Sequence, residues 1–495
     1  MKVRTIGLLS LVGMTLSSVT VWSLTPDRLG PKPLAEAVTE VASDGRSTVA
    51  GEPGASFTAG RTLMVEGRLG HARVSGERDA ETLMLVNVSA DRSDTGGTTT
   101  PVNLAIVIDR SGSMRGKRME NALGAARGMV RRLRDGDVVS VITYDTKTEL
   151  VAAPTTIDAF SRDRVERQIG TITARGDTCI SCGLDEAVSV LGRRPGMVDR
   201  ILLLSDGEAT AGVRDVEGFR AIAGRIRAQG ASISAIGVDV EYNERVMSAL
   251  AVESNGRHHF VDDAAGLSRV FDDELASLVK TVANEAELAV ELAPGVRVTQ
   301  VFDRTFRQEG QRLLVPMGSF SAGEEKTLLV RVAVPRSAAG ARPVADVQLR
   351  YRDLARSDAG ECEGKLAVLV TDDGSATQQL DPIVHARLMR SQTGAALKEA
   401  NLLFQSGRSE EARRKLSESW AQVQAQERTA LAAAPSPRRA DLEKDFKGQS
   451  AALAEASEGL AEPAPAAGAP PSPAQARKPK AQVRANAAKA DAFGF

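Results

Sequence analysis

At 495 residues and 52.3 kDa the chain is too long for one ordinary core, and about two to four domains are expected. Lys and Arg number 63 against 64 Asp and Glu, a net charge of -1, so no global field recruits nucleic acid or a membrane surface. Aromatics at 3% weigh against base-stacking platforms, three cysteines exclude a disulfide-built scaffold, and four histidines argue against a multi-histidine metal enzyme.

In chain order, Lys2 and Arg4 precede an uncharged apolar stretch from Ile6 to Leu24. A basic start followed by an apolar run is the pattern of an export segment, so residues 1–24 are expected to be a signal peptide or an uncleaved N-terminal anchor. The bulk of the chain is then expected outside the cytoplasm, in the periplasm or at the cell surface, and any membrane contact would run through that anchor alone. No cysteine lies in this region, so a lipid-anchored lipoprotein is not expected. Residues 25–55 are rich in Pro, Gly, Ser and acids without periodicity and are read as a linker.

Residues 56–100 alternate in strand fashion ("RTLMVEGRLGHARV", "ETLMLVNVSA") and are assigned to a β-sandwich, with a loop at Gly96-Gly97. From 101 to 283 the pattern changes. Apolar runs ("VNLAIVID", "DVVSVITY", "RILLLSD", "ASISAIGV", "RHHFV") are separated by amphipathic stretches near 117–133, 181–191, 216–228, 243–252 and 265–282. Apolar strands interleaved with helices give an α/β domain with a doubly wound, mostly parallel sheet, whose ligand belongs at the carboxyl ends of the strands. Residues 284–373 read as the flanking β-sandwich. Residues 381–432 read as a C-terminal helical hairpin turning at Gly407, with spacing like one tetratricopeptide unit. Residues 433–495 are expected to hold one weak helix and a disordered Pro/Ala/Lys tail ending in Phe493-Gly494-Phe495.

The chemistry concentrates on Asp109-Arg110-Ser111-Gly112-Ser113, directly after the strand "NLAIVI". One carboxylate and two hydroxyls at alternate positions, with Gly between them, can turn their oxygens to one point, as hard divalent cations require. A second strand ends in Ser205-Asp206-Gly207, placing another carboxylate at the same sheet edge. Thr178, just before the helix near 181–191, adds a third hydroxyl.

On these residues the segment resembles a von Willebrand factor type A domain with a metal-ion-dependent adhesion site, whose motif is D-x-S-x-S, a distant Thr and a distant Asp. Asp109, Ser111, Ser113, Thr178 and Asp206 match its five positions in order. The layout as a whole is similar to bacterial exported proteins that place this domain inside a β-sandwich and add a helical C-terminus. The resemblance implies Mg²⁺, with Mn²⁺ or Ca²⁺ as alternatives, held by Asp109, Ser111 and Ser113 directly or through water. Thr178 would exchange direct and water-mediated contact, and Asp206 would act mainly through water. It further implies a protein partner presenting Asp or Glu to complete the metal shell, and a role as a non-enzymatic adhesion or scaffold module. The alternative role is an accessory subunit of an envelope enzyme or transport complex. Ser205 stands where many members of the family carry Thr.

Cys179 and Cys182 follow Thr178 immediately, as a C-x-x-C pair at a helix start. Three readings stay open for them: a local structural disulfide, two buried thiols, or a redox pair that controls the metal site. Cys362 is then either free or paired with one of these. Weaker signals are set aside. Gly112 to Lys117 has its glycines one residue too close for a phosphate loop, and Arg118 replaces the Ser or Thr such a loop needs. His258 and His259 are neighbours on a strand and face opposite ways, so they do not share a metal. The basic residues Arg477, Lys478, Lys480, Arg484 and Lys489 are read as a solvated tail.

Overall fold

The computed structural model describes residues 54–91, 100–261, 263–354, 356–372, 380–434, 436–460 and 473–494. The export segment, most of the linker, the Gly96-Gly97 loop and Phe495 lie outside the described residues. Among those described, no helix is long and apolar enough to cross a membrane.

The described residues begin with β1 (Ser56–Gly60), β2 (Leu63–Leu69), β3 (Arg73–Ser75) and β4 (Ala80–Ala90). It then enters the α/β unit through β5 (Val102–Asp109), a short 3-10 turn at Gly112–Met114, α1 (Lys117–Arg132), β6 (Val138–Tyr144), β7 (Thr148–Thr156) and α2 (Ala159–Ile169). The unit continues with α3 (Ile180–Leu191), β8 (Val198–Ser205), α4 (Val216–Ala228), β9 (Ser232–Val238), α5 (Glu244–Glu253), β10 (His258–Val261) and α6 (Ala264–Val279). The chain returns to all-β structure with β11 (Thr281–Leu292), β12 (Arg297–Phe302), β13 (Arg307–Glu309), β14 (Arg312–Ser321), β15 (Glu325–Val334), β16 (Gly340–Asp353) and β17 (Asp358–Thr371). Among the described residues four helices follow: α7 (Pro382–Gln405), α8 (Ser409–Ala433), α9 (Ser436–Gly459) and α10 (Pro473–Gly494).

The α/β sheet has the order β10-β9-β8-β5-β6-β7, parallel throughout except for β7, which pairs antiparallel with β6. β5, β6 and β9 are buried at every residue, as strands covered on both faces must be. One face packs through Leu104, Ile106 and Ile108 against Met129 and Val130 of α1, Val165 of α2 and Phe271 of α6. The other packs through Ala105, Val107 and Leu203 against Leu184 of α3, Phe219 of α4 and Met247 of α5. From β5 the winding runs one way to β6 and β7 and the other way to β8, β9 and β10. The strand order therefore reverses between β5 and β8, and the crevice at a reversal point, beyond the carboxyl ends of the strands, is where open α/β sheets bind ligands.

This unit is inserted into a two-sheet sandwich. The sheet β1-β2-β4-β15-β12 faces β13-β14-β11-β16-β17-β3 across one aliphatic core that includes Val65, Val86, Leu288, Val330 and Leu349. The chain leaves the sandwich after β4 and re-enters at β11, directly from α6. β3 and β4 thus pair with strands more than two hundred positions later, for example Leu85 with Leu329. The helical part is larger than the predicted hairpin. α7 and α8 run antiparallel, α9 packs back on α8, and Val384 of α7 meets Leu83, Leu85 and Leu329 on the sandwich.

Two sequence expectations need correction, and two elements go unread. Composition predicts a disordered tail, yet Pro473–Gly494 is helical, with Val483 and Ala490 in the core of the helical bundle. Ala-rich sequence has high intrinsic helix propensity, and polar pairs fix this helix: Asn486 donates to Asn401 at 3.0 Å, and Asn401 donates to the Val483 carbonyl at 2.8 Å. The basic residues are correspondingly partnered rather than simply solvated. Lys480 pairs with Glu241 at 3.1 Å, Lys489 with Glu455 at 2.6 Å, and Arg484 with Glu244. The edge strand β7 and helix α2 escape the sequence reading, because both are largely polar and α2 starts on an Asp158–Ser161 capping box.

Candidate metal site at the switch point

Asp109 is the last residue of β5 and is fully buried. One carboxylate oxygen accepts the Ser111 backbone N–H at 2.8 Å, which folds the chain sharply after the strand. The other accepts the Ser205 hydroxyl at 2.8 Å from the end of the neighbouring strand β8. Ser111 and Ser113 stand with hydroxyl oxygens 3.0 Å apart, and Ser113 donates to Asp206 Oδ1 at 2.7 Å. Asp206 is also fully buried, whereas Ser113 is exposed, so the cluster opens to solvent at Ser113. Thr178 reaches the same place. A Cβ built on Gly207 would stand 3.7 Å from Ser113 Oγ and 4.0 Å from Thr178 Oγ1, so the missing side chain leaves a cradle between the two hydroxyls. Asp109, Ser111, Ser113 and Asp206, singled out by their sequence pattern, are therefore brought together at the carboxyl ends of β5 and β8, with Thr178 beside them across Gly207.

Backbone hydrogen bonds lock the loops that carry them. Gly112 N–H donates to the Gly176 carbonyl at 3.0 Å, and Arg175 N–H to the Arg110 carbonyl at 2.6 Å, tying the Asp109 and Thr178 loops together. The Thr178 carbonyl accepts from Thr210 and Ala211 at 2.9 and 3.2 Å, tying that loop to the segment after Asp206. Below them, Arg110 pairs with Asp145 at 2.8 Å.

The electrostatics are those of an underneutralised pocket. Burial pushes the Asp109 carboxyl up to about 6, against the pull of the Ser111 and Ser205 hydrogen bonds and with a further push from the Asp206 charge. Burial also raises Asp206, against its bonds to Ser113 and Arg118. Two desolvated carboxylates with three neutral hydroxyls form an all-oxygen donor set suited to a hard cation. Among the described residues no group of three or more His, Cys, Asp or Glu could hold a metal, so a metal here would depend on the hydroxyls.

Five residues have roles at the site that sequence reasoning does not give. Ser205 is more than a tolerated variant, since it bonds Asp109 directly. Arg118, considered only as a defect in a phosphate loop, donates to Asp206 Oδ2 and to the Ser113 carbonyl, both at 3.0 Å. Its Nε donates to Asp239 at 2.8 Å, which anchors the guanidinium from the end of β9. Tyr144, buried under the site, donates to the Leu204 carbonyl at 3.0 Å. Helix α3, which follows Thr178, can lie this low because of Gly183, where a Cβ would come within 2.7 Å of Tyr144 Cδ1. Gly183→Ala is expected to cost roughly 1–3 kcal/mol by overpacking, read as a lowered urea midpoint. A variant as stable as wild type would show that α3 has room to spare.

Cys179 and Cys182 form a disulfide with Cα atoms 5.3 Å apart, and Cys362 is a buried free thiol donating to the Leu63 carbonyl at 3.4 Å. This leaves neither two buried thiols at 179 and 182 nor a bond to Cys362. The two histidines of β10 have separate partners, Asp491 for His258 and Glu274 for His259.

Against known proteins, the family model of the von Willebrand factor type A domain matches residues 103–273. An uncharacterized protein of Synechocystis sp. is 25% identical over 267 residues, covering 52% of this chain and 62% of that protein. The uncharacterized protein YfbK of Escherichia coli is 27% identical over 272 residues, covering 52% of this chain and 45% of that one. The chain thus spans about half to three-fifths of the length of these curated relatives. The solved structure of a von Willebrand factor type A protein from Catenulispora acidiphila superposes with a TM-score of 0.63 at 17% identity, covering 82% of this chain and 91% of that one. That likeness extends the shared fold well beyond the α/β unit, although it carries no function with it. The α/β unit of this chain, across residues 103–273, is a von Willebrand factor type A domain.

Proposed function

We propose that this protein is an exported, non-enzymatic binding module that captures an acidic residue of a partner protein through a divalent cation, Mg²⁺ first, at the switch point. The observation that carries this reading is the convergence of Asp109, Ser111, Ser113, Thr178 and Asp206 on one pocket that reaches solvent at Ser113. These residues would hold the cation, which when bound supplies a Lewis-acidic position for a partner carboxylate. The chain's own part is preorganisation. Ser205 and the Ser111 N–H fix the Asp109 carboxylate, Ser113 and Arg118 fix that of Asp206, and the stitched loops keep Thr178 in reach. Export rests on the basic and apolar character of residues 1–24, as read in the sequence.

The test is a pull-down from envelope extract with the full chain, run with Mg²⁺ and with chelator. A partner retained only with Mg²⁺, and lost with Asp109→Ala, is the expected result. Capture that is indifferent to chelator would sink the reading.

Arg118 makes a separate prediction. Its positive charge lies against Asp206 and opposes any cation bound there, although the Asp239 pair and partial exposure screen it. Arg118→Gln should therefore tighten Mg²⁺ binding by roughly three- to tenfold in calorimetry. Weaker binding would show that holding the Asp206 carboxylate in place matters more than the charge.

A further inference from the structure

The Cys179–Cys182 disulfide adjoins the loop that carries Thr178 of the proposed cation site. Cys179 directly follows Thr178 and is 1% exposed. Its N–H donates to the Asp145 carbonyl at 3.0 Å, and its carbonyl accepts from Gly183 at 3.2 Å, so it joins the Thr178 loop to the first turn of α3. Gly212, in the loop after Asp206, lies hard against it. Gly212 has φ +68, and a Cβ there would collide with Ser181 Oγ and come within 2.7 Å of Cys179 Sγ. Ser181 Oγ also accepts the Val213 N–H at 3.0 Å. The disulfide thus sits where the Thr178 loop, the post-Asp206 loop and α3 meet, while Cys182 is only half-buried.

We infer that Cys179–Cys182 is a thiol–disulfide exchange site that sets the cation affinity of the neighbouring pocket, with a small or protein dithiol as its reductant. This rests on the metal reading above. An incoming thiolate attacks Sγ of Cys182, the less buried residue of the pair, the S–S bond breaks, and Cys179 leaves as a thiolate at the N-terminus of α3, where the helix dipole favours negative charge. The Ser181 hydroxyl, 3.7 Å from Cys179 Sγ, is placed to donate to it. The second thiol of the reductant then attacks the mixed disulfide and releases Cys182. The pair gains two electrons and two protons, and the dithiol departs as its own disulfide.

The structural consequence follows from packing. Bonded sulfurs lie about 2 Å apart, and unbonded ones must separate to roughly 3.5 Å or more. With Gly212 and Ser181 filling the space around Cys179, its sulfur has little room to turn aside, and reduction removes the cross-link that ties the Thr178–Cys179 backbone to the first turn of α3. The oxidised form is the one that holds Thr178 for the cation. Groups that orient metal ligands typically change affinity by about 10–100-fold when lost, and reduction is expected to act at the lower end.

The experiment titrates Mg²⁺ calorimetrically into the full chain in three states: oxidised, reduced with dithiothreitol and freed of reagent without air, and reoxidised. Thiol counting in denaturant should rise from one to three on reduction, since Cys362 is free throughout. Affinity should fall roughly tenfold on reduction and return on reoxidation. A Cys179→Ala/Cys182→Ala variant should bind like the reduced chain and ignore dithiothreitol. Should that variant misfold, the reduced and reoxidised wild type decide alone. Equal affinity of oxidised and reduced chains overturns the inference, as does a disulfide that dithiothreitol cannot open in the folded protein. An oxidised chain that binds no Mg²⁺ is a different result, which removes the metal reading itself.

Discussion

Glu274→Gln should lower the stability of the chain by about 3–5 kcal/mol at neutral pH, the usual cost of breaking a buried ion pair from one side. Glu274 is 1% exposed on α6. One carboxylate oxygen bonds His259 Nε2 at 2.9 Å and lies 3.8 Å from Arg257. The other bonds the Ser234 hydroxyl and lies 3.6 Å from Arg200, itself buried on β8. Gln keeps the shape and part of the hydrogen bonding but leaves Arg200 without its nearest countercharge in a low-dielectric site. Arg257 extends the cluster to Glu324 of the sandwich at 3.1 Å, so the loss should also loosen the seam between the α/β unit and the sandwich.

The pH dependence tests the same group independently. Burial alone would raise the Glu274 carboxyl, but the His259 hydrogen bond and the Arg200 charge outweigh it and hold the group at about 2, below its ordinary 4.5. The folded value is below the unfolded one. Its stabilisation is therefore fully present above pH 4.5 and lost as pH falls towards 2. That interval corresponds to roughly 3 kcal/mol. Urea melts should show wild type losing stability through this acid window and Glu274→Gln losing less. Parallel pH profiles, or a neutral-pH difference under about 1 kcal/mol, would mean that solvent already compensates Arg200.

The von Willebrand fold and the outline of its site were legible because their signals are local. Strand-helix alternation marks the doubly wound sheet, and D-x-S-x-S keeps three donors within five residues. Chain order even places Asp206 correctly, since a residue ending the strand next to β5 must sit beside Asp109. Arg118 and Asp239 were not legible. Their contact spans 121 positions and depends on how α1 lies over the end of β9. The last helix was hidden for another reason. Its Pro, Ala and Lys composition resembles a solvated tail, and what seats it is a set of single polar contacts such as Asp491 with His258 and Lys398, which leave no periodic trace. The disulfide was foreseen as one reading among three, because spacing alone does not decide whether two thiols are bonded.

Asp109→Asn should separate stability from binding. In the metal-free chain the folded Asp109 carboxyl stands near 6, above its ordinary 3.8. Stability is then lost as pH rises through that interval, and the whole penalty of burying the charge acts at pH 7. Asn removes it at nearly constant volume. Its amide oxygen can still accept the Ser111 N–H, and its NH₂ can donate to Ser205, whose hydroxyl is free to turn towards the Gly207 carbonyl 3.4 Å away. In chelator the variant should therefore be as stable as wild type or more so, by up to about 3 kcal/mol. With Mg²⁺ the order should reverse. Wild type at a thousand times its Kd gains about 4.1 kcal/mol by mass action, whereas the variant, lacking one of its two carboxylates, should gain nothing measurable. Thermal melts of both proteins, with chelator and with Mg²⁺, contain the whole test. A variant that is weaker than wild type in chelator would make Asp109 a structural residue, and one that still gains from Mg²⁺ would place the cation elsewhere. The expected crossing of the two orders is the behaviour of a residue retained against its own folding cost for the ligand it holds.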